Sequence, residues 1–217
     1  MKLQQLRKIL TQSDESGFTI IESLVALLVA AILLASVSPV LVISTATRVQ
    51  ARRVELAAQA AKTFIDGVRT KTITEPTEAL TALSVSTTRT VSSSTSDYLV
   101  SSAAVPTDTT KLYCFNKDGS IAAPGCTSNL FYIQAVKLQV SGSDPDKGQG
   151  YRLGIRIYRS DAQFGSLIKT SDSNGSVQTA FTGGVGNRRT PLLEMTTEIT
   201  RGLPSYSALC DRLGGCK

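Results

Sequence analysis

Residues 17–43 read GFTIIESLVALLVAAILLASVSPVLVI, an almost wholly apolar stretch with one carboxylate, Glu22, near its start. As a helix, residues 23–43 would extend about 31 Å, which matches the hydrocarbon core of a bilayer. The apolar part is too long for the core of a secretory signal, and a leader with three basic residues precedes it. The pattern predicts a membrane-spanning helix with its leader in the cytoplasm and its C-terminal body exported.

A carboxylate in such a stretch costs a few kcal/mol unless it reaches the headgroups or is paired. The residues around Glu22 resemble the class III leader of type IV pilins and type II secretion pseudopilins. In that family a basic leader ends in Gly, and Phe, Thr, two apolar residues and Glu follow. This chain has the same residue types in the same order, at Gly17, Phe18, Thr19, Ile20, Ile21 and Glu22. Pro39 also stands where many members carry a helix-kinking proline.

The resemblance implies that a prepilin peptidase cuts between Gly17 and Phe18 and then N-methylates Phe18. It further implies other pilins or pseudopilins, an inner-membrane assembly platform and its ATPase as partners. Glu22 would pair with the new N-terminal amine of a neighbouring subunit and so set the register of the filament, since an unpaired charge in an apolar bundle is costly. The alternative is a plain anchor in which Glu22 only reaches the headgroups.

The chain therefore divides into a leader (1–17), an N-terminal helix (18–70), a Ser/Thr-rich connection (71–111) and a body (112–217). Residues 18–43 of the helix are the predicted transmembrane segment and filament core. Beyond them, apolar residues recur every three to four positions and predict a face that packs on the body; they are Ala57, Ala60, Ala61, Phe64 and Val68. Gly67 and the Glu75-Pro76 pair are expected to close this helix.

From residue 112 the hydrophobic period changes to two, which predicts strands at 112–116, 129–140 and 151–159, with further strands at 176–181 and 190–200. In the third of these, the apolar face carries Tyr151, Leu153, Ile155 and Ile157, and the other face carries Arg152, Arg156 and Tyr158. We expect an antiparallel sheet with one face on the helix. The predicted fold class is α+β and pilin-like, stapled by disulfides.

All the cysteines, Cys114, Cys126, Cys210 and Cys216, follow the apolar stretch. Their even number on the exported side suggests disulfides rather than buried free thiols. Pairing of Cys114 with Cys126 and of Cys210 with Cys216 is the simplest of three connectivities. Many pilins also staple their C-terminal region with a disulfide.

Several chemistries are excluded or disfavoured. The chain has no histidine, so Ser-His and Cys-His nucleophile arrangements are ruled out. Residues 144–148 resemble the start of a calcium loop, but Ile155 stands where the twelfth-position acid belongs, so a turn is favoured. The Gly-rich segment 181–189 lacks the ending of a phosphate loop. The sequence predicts no enzyme, no catalytic residues, no metal and no cofactor.

Arg152, Arg156, Arg188 and Arg189 could form a basic surface for an anionic polymer, although a solvated sheet face is the favoured interpretation. Nucleic acid is not a favoured partner. The best prediction is a minor pilin or pseudopilin in the inner membrane, with a periplasmic body, that supports secretion of a polymer such as polysaccharide. The arrangement resembles the minor pseudopilins of cyanobacterial hormogonium polysaccharide secretion. The alternatives are a minor pilin for DNA uptake or adhesion, and an unprocessed membrane-anchored exoplasmic domain.

Overall fold

The computed structural model describes residues 19–79, 103–126, 129–140, 142–170, 186–203 and 205–213. The chain divides into two units, Met1–Thr45 and Ala46–Lys217. Helix α1, Ile20–Arg69, belongs to both. The sheet and a C-terminal helix, Tyr206–Leu213, belong to the second unit.

Thr19 caps the start of helix α1. The amide of Glu22 donates to both oxygens of Thr19, at 3.0 Å to the carbonyl and 3.3 Å to Oγ1. A threonine followed three residues later by glutamate is the capping-box spacing, which satisfies donors that a helix start leaves open. The helix therefore begins directly after the predicted cleavage position.

Hydroxyl side chains within the apolar part of the first unit bond to the helix itself. Ser23 Oγ donates to the carbonyl of Ile20 at 2.8 Å, and Ser36 Oγ donates to that of Leu33 at 2.7 Å. Thr45 Oγ1 likewise reaches the carbonyl of Leu41 at 3.0 Å. These groups meet their hydrogen-bonding needs without water, as a helix in lipid requires.

The second half of helix α1 packs on the sheet through the predicted face. The five predicted residues are all fully buried, and they share one core cluster with the strands; they are Ala57, Ala60, Ala61, Phe64 and Val68. Phe64 meets Tyr113 edge to face, with ring centroids 4.9 Å apart. This confirms the pattern read from the sequence, since residues three and four apart share a helix face.

Helix α1 ends at Arg69, two residues beyond Gly67. The chain turns through Lys71, which has a left-handed φ of 62°, and the amide of Ile73 donates to the carbonyl of Gly67 at 3.0 Å. A Cβ on residue 67 would overlap the Ile73 side chain. Gly67 thus permits a close approach of the returning chain.

The sheet is five-stranded and antiparallel, in the order β2-β1-β3-β4-β5. Its strands are β1 Tyr113–Phe115, β2 Ile121–Ala122, β3 Phe131–Leu138, β4 Tyr151–Arg159 and β5 Leu193–Ile199. Strands were predicted at all of these places except β2. The strand predicted at 176–181 lies outside the described residues. The long helix α1, the antiparallel sheet and the disulfide between Cys114 and Cys126 together confirm the predicted α+β pilin-like fold.

Both faces of the sheet are covered, where the sequence indicated only one. All nine residues of β4 are buried. The helix side holds Tyr151, Leu153, Ile155 and Ile157, and the opposite side carries a second cluster of Leu112, Cys114, Tyr132, Tyr158 and Leu167. The segments around residues 112 and 167 therefore form a second layer over the sheet.

The Ser/Thr-rich connection is attached to the sheet on either side of residues 80–102. Before them, the carbonyl of Glu78 accepts a bond of 2.9 Å from the amide of Lys137 in β3. After them, the carbonyl of Ala103 accepts 2.9 Å from Arg156 Nη1, and that of Ala104 accepts 2.8 Å from Gln134 Nε2. Buried side chains thus anchor the returning chain.

Candidate assembly surface

Glu22 lies in the first turn of helix α1 and is exposed. The unpaired amides of a first turn give it positive character, which favours a carboxylate there. Its side chain is therefore accessible to an external cation, and an ammonium group is the natural partner of a carboxylate in an apolar setting. Gly17 and Phe18, the predicted cleavage and methylation residues, lie outside the described residues.

The helix around Glu22 presents exposed apolar side chains. Its large apolar side chains are exposed from 47% at Ile43 to 87% at Ile20. The most apolar window of 18 residues has a mean hydropathy of 2.7, and none of it is buried. Among the described residues this is the one helix long and apolar enough to cross a membrane. Such a surface needs lipid or other apolar helices to cover it.

Pro39 lies inside this helix, as predicted. Proline has no amide hydrogen, so the carbonyl of Ala35 loses its usual donor. Helices bend or loosen where that bond is missing. A kink at Pro39 remains a prediction.

Arg152 and Arg156 lie neither on the possible basic surface nor on the solvated sheet face that the sequence favoured. Arg156 is completely buried, and its Nε donates to Glu194 Oε2 at 3.1 Å. Arg152 is 3% exposed, and its Nε donates to Glu198 Oε1 at 2.6 Å. Both carboxylates come from β5 and neutralise the arginines within the sheet. These two side chains are consequently closed to an anionic polymer.

Arg188 and Arg189 are exposed. Each donates a hydrogen bond to a main-chain carbonyl of a neighbouring loop. Arg188 Nε donates to the carbonyl of Asp161 at 2.9 Å, and Arg189 Nε donates to that of Ser166 at 2.8 Å. Burial raises the pKa of Asp161, but the hydrogen bond and charge of Arg159, with the charge of Arg188, hold it below the ordinary value. Asp161 therefore offsets part of the arginine charge of this loop pair.

An ion-pair network that the sequence did not reveal lies where helix α1 ends. Arg201 contacts both Glu75 and Asp146, the latter at 3.6 Å. Lys71 pairs with Asp146 at 2.8 Å, and Lys137 pairs with Glu75 at 3.4 Å. The hydrogen bond and charge of Lys71 hold the pKa of Asp146 below its usual value. The network joins four chain segments that are far apart in sequence.

Residues 144–148 form a turn, the interpretation favoured from the sequence. A 3₁₀ helix spans Pro145–Lys147, and Asp144 Oδ1 caps it by accepting from the amide of Asp146 at 3.0 Å. Gly148 adopts a left-handed φ of 78°, and the carbonyl of Leu203 occupies the space where a Cβ would lie. In the described part of the chain, no group of three or more potential ligand side chains is placed to hold a metal.

The disulfide predicted between Cys114 and Cys126 is confirmed, with Cα atoms 6.2 Å apart. It joins β1 to the segment after β2 and lies in the outer layer of the sheet. Cys210 is also disulfide-bonded. Cys216 lies outside the described residues, so its pairing with Cys210 stays a prediction.

Two clefts of the body lie near the end of helix α1. One, of about 500 Å³, is lined mainly by hydroxyl side chains and glycines, with Asp66 as its one carboxylate. Another, of about 350 Å³, contains Glu75 and Asp146. Those two carboxylates are already engaged in the ion-pair network.

The comparisons with known proteins bear on the N-terminus. A family model described as the prokaryotic N-terminal methylation motif matches residues 12–38. No curated protein and no solved structure gives a significant match to the chain. The match covers Glu22 and the predicted cleavage position, and it indicates an N-terminus similar to the class III leader of type IV pilins and pseudopilins. Together with the exposed apolar helix, the motif indicates membrane anchoring.

Proposed function

We propose that this protein is a minor pilin or pseudopilin, a structural subunit of a type IV pilus-like or type II secretion-like filament. The observation that carries the proposal is the methylation motif at residues 12–38, which overlaps the start of an exposed apolar helix. In this assignment residues 1–17 are the leader and residues 18–43 anchor the subunit and later form the filament core. Residues 71–111 connect the helix to the exported body, 112–217.

Cleavage between Gly17 and Phe18 gives the new ammonium group a position one helical turn before Glu22. Because Thr19 already caps the amide of Glu22, the helix start is formed close to the cleavage position. The carboxylate of an incoming subunit then pairs with the amine of its neighbour. Apolar helices alone can slide along one another. A charge pair in an apolar bundle favours a single axial displacement between neighbouring subunits.

The direction of insertion follows from the basic leader on one side and the disulfide-bonded body on the other. The leader lies in the cytoplasm, where the prepilin peptidase cuts it, and the body lies in the periplasm. Assembly requires an inner-membrane platform and its ATPase. These partners come with the family.

Two features favour a minor role and a polymer cargo. The long Ser/Thr-rich connection suits a minor subunit, and the general resemblance to pseudopilins of cyanobacterial polysaccharide secretion favours a polysaccharide. Deleting the gene and measuring polysaccharide in the medium tests the cargo, with the wild-type copy restored as the control. Undiminished polysaccharide release with loss of DNA uptake would instead favour the DNA-uptake pilus.

Identifying the N-terminal residue of the protein recovered from its own host, and whether it is methylated, tests the proposal directly. We expect a mature chain of 200 residues beginning with N-methylated Phe18. Substitution Gly17→Arg should leave the leader attached, while Gly125→Arg, a change of the same kind in the body, should not. A wild-type chain that still begins at Met1 beside an active prepilin peptidase would contradict the proposal and leave an anchored exoplasmic domain.

A further inference from the structure

Two arginines on helix α1 have no carboxylate partner among the described residues. Arg48 and Arg52 are both exposed, and they lie four residues apart, so they share one helix face. Glu55, the acid nearest to them along this helix, forms no ion pair with either within the part of the chain that the structure describes. Like charges at this spacing weaken a helix slightly. An external anion would remove that repulsion.

Most arginines of the described body, unlike Arg48 and Arg52, contact a carboxylate. Five of them contact a carboxylate within 4 Å, namely Arg152, Arg156, Arg159, Arg188 and Arg201. The fold therefore supplies acids where it needs to neutralise arginine. The pair on helix α1 has been left for a partner outside the described body.

The position of the pair along the chain indicates which partner. Ile43 is the last large residue of the apolar stretch, and Arg48 follows five residues later, about one and a half helical turns. The headgroup layer of a bilayer is about 5–8 Å thick on each side. Arg52 follows one turn further, and a long arginine side chain can reach back toward the interface. Both guanidinium groups are thus within reach of the headgroups.

We propose that Arg48 and Arg52 bind the phosphate groups of anionic phospholipids in the leaflet on the exported side. A guanidinium presents parallel N–H donors that match phosphate oxygens, and basic residues beside a membrane span attract anionic lipid. The proposal rests on the proposed function only for the membrane span of the apolar helix and its orientation. It is therefore independent of the processing of Phe18.

This contact would fix how deeply the subunit sits in the membrane. Glu22 marks one end of the apolar stretch, and the two arginines follow its other end. A subunit that leaves the bilayer must exchange the lipid phosphates for other anions or for water. Retention by anionic lipid would then be a barrier to extraction that depends on membrane composition.

Fluorescence quenching of a single tryptophan can test the proposal. The chain has no tryptophan, so Val49→Trp introduces one reporter between the arginines, at a position that is 52% exposed. The full chain is reconstituted in mixed phosphatidylcholine and phosphatidylglycerol vesicles. In one set only the anionic lipid is brominated, and in the other only the zwitterionic lipid. Comparing the two sets gives the share of anionic lipid beside residue 49.

We expect the local ratio of anionic to zwitterionic lipid to exceed the bulk ratio by about fivefold for each arginine at low salt. It should fall to the bulk value when Arg48→Gln and Arg52→Gln are combined. A control with Lys62→Gln and Lys117→Gln removes the same charge at two exposed positions of the body and should keep the enrichment.

An anionic share equal to the bulk value in the Val49→Trp protein would overturn the proposal. So would equal losses in the two charge variants, because the effect would then follow net charge alone. Enrichment that rises with the protein-to-lipid ratio would show that the arginines contact a second copy of the chain instead. Absence of quenching by either lipid would place residue 49 outside the interface and also reject the proposal.

Discussion

Arg201 Nη2 donates a hydrogen bond of 2.8 Å to the main-chain carbonyl of Val68, in the last turn of helix α1. The last turn of a helix has carbonyls without helical donors, and a cation there is doubly favourable. The same guanidinium contacts Glu75 and Asp146. One side chain therefore connects the segment after β5 to the end of the helix that carries the anchor.

Substitution Arg201→Met should lower the free energy of unfolding of the body by about 2 kcal/mol, because it removes one of the two cations beside Glu75 and one of the two donors to the carbonyl of Val68. The side chain is only 11% exposed, so solvent replaces it poorly. Urea unfolding of the full chain in detergent, followed by circular dichroism, measures the change. Arg189→Met removes one exposed arginine with a single bond to a loop carbonyl and should cost less than 1 kcal/mol. Equal losses in the two variants would argue against the role given to Arg201.

The buried pair of Arg156 and Glu194 should behave as one unit. Arg156→Met alone should destabilise the body by about 3–4 kcal/mol, since it leaves a buried carboxylate without its cation. The double variant with Glu194→Met should recover much of this loss because no charge is then stranded. A double-mutant cycle in urea gives the coupling energy. Additive losses would mean that the two side chains act independently.

Tyr158 should make the body sensitive to alkali. Burial is the main reason why its pKa rises to about 12, with the charge of Glu194 adding to it and Arg156 opposing it. The folded protein favours the neutral phenol, so this stabilisation is complete below pH 10 and is lost as the pH rises toward 12. At pH 11 the loss amounts to about 1.4 kcal/mol.

The variant Tyr158→Phe should therefore lose less stability between pH 9 and pH 11 than the parent does. Urea unfolding at both pH values supplies the comparison. Tyr206→Phe serves as the control because Tyr206 is 75% exposed, and its pH dependence should match that of the parent. If Tyr158→Phe also matches the parent, the phenol of Tyr158 does not control the alkaline loss.

Glu22→Gln should separate processing from assembly. Glutamine keeps the length and hydrogen-bonding capacity of the side chain but cannot neutralise an ammonium group. We expect a methylated Phe18 terminus in membrane fractions, with at least a tenfold loss of the protein from sheared filaments. Glu55→Gln, which changes an exposed acid further along the same helix, should assemble normally. Filaments with a normal content of the Glu22→Gln protein would reject the register role.

Local pattern was enough to predict the helix face and most of the strands. Phe64 and Val68 follow helical spacing, and Tyr151 to Ile157 alternate, so burial could be assigned from neighbours alone. The same reasoning misplaced Arg156, because an arginine opposite an apolar face normally points to solvent. Its neutralising partner, Glu194, lies 38 residues away, and only the register of β4 and β5 brings the two together.

The ion-pair network and the outer layer were missed for the same reason. Arg201 and Glu75 are 126 residues apart, and neither stands in a pattern that indicates the other. The N-terminal motif, by contrast, could be predicted from the sequence alone. Glu22 and Thr19 are close in sequence, and a short motif with a strict order of residue types can be read without knowledge of the fold.

The two attachment points around residues 80–102 have a consequence for how such a protein can change over time. Lys137 holds Glu78 on one side, and Arg156 and Gln134 hold Ala103 and Ala104 on the other. Lengthening a chain between two fixed ends costs little free energy. Insertions and deletions in this segment, and sugars attached to it, are therefore compatible with an unchanged sheet. The sheet keeps these two contacts whatever the length of the segment between them.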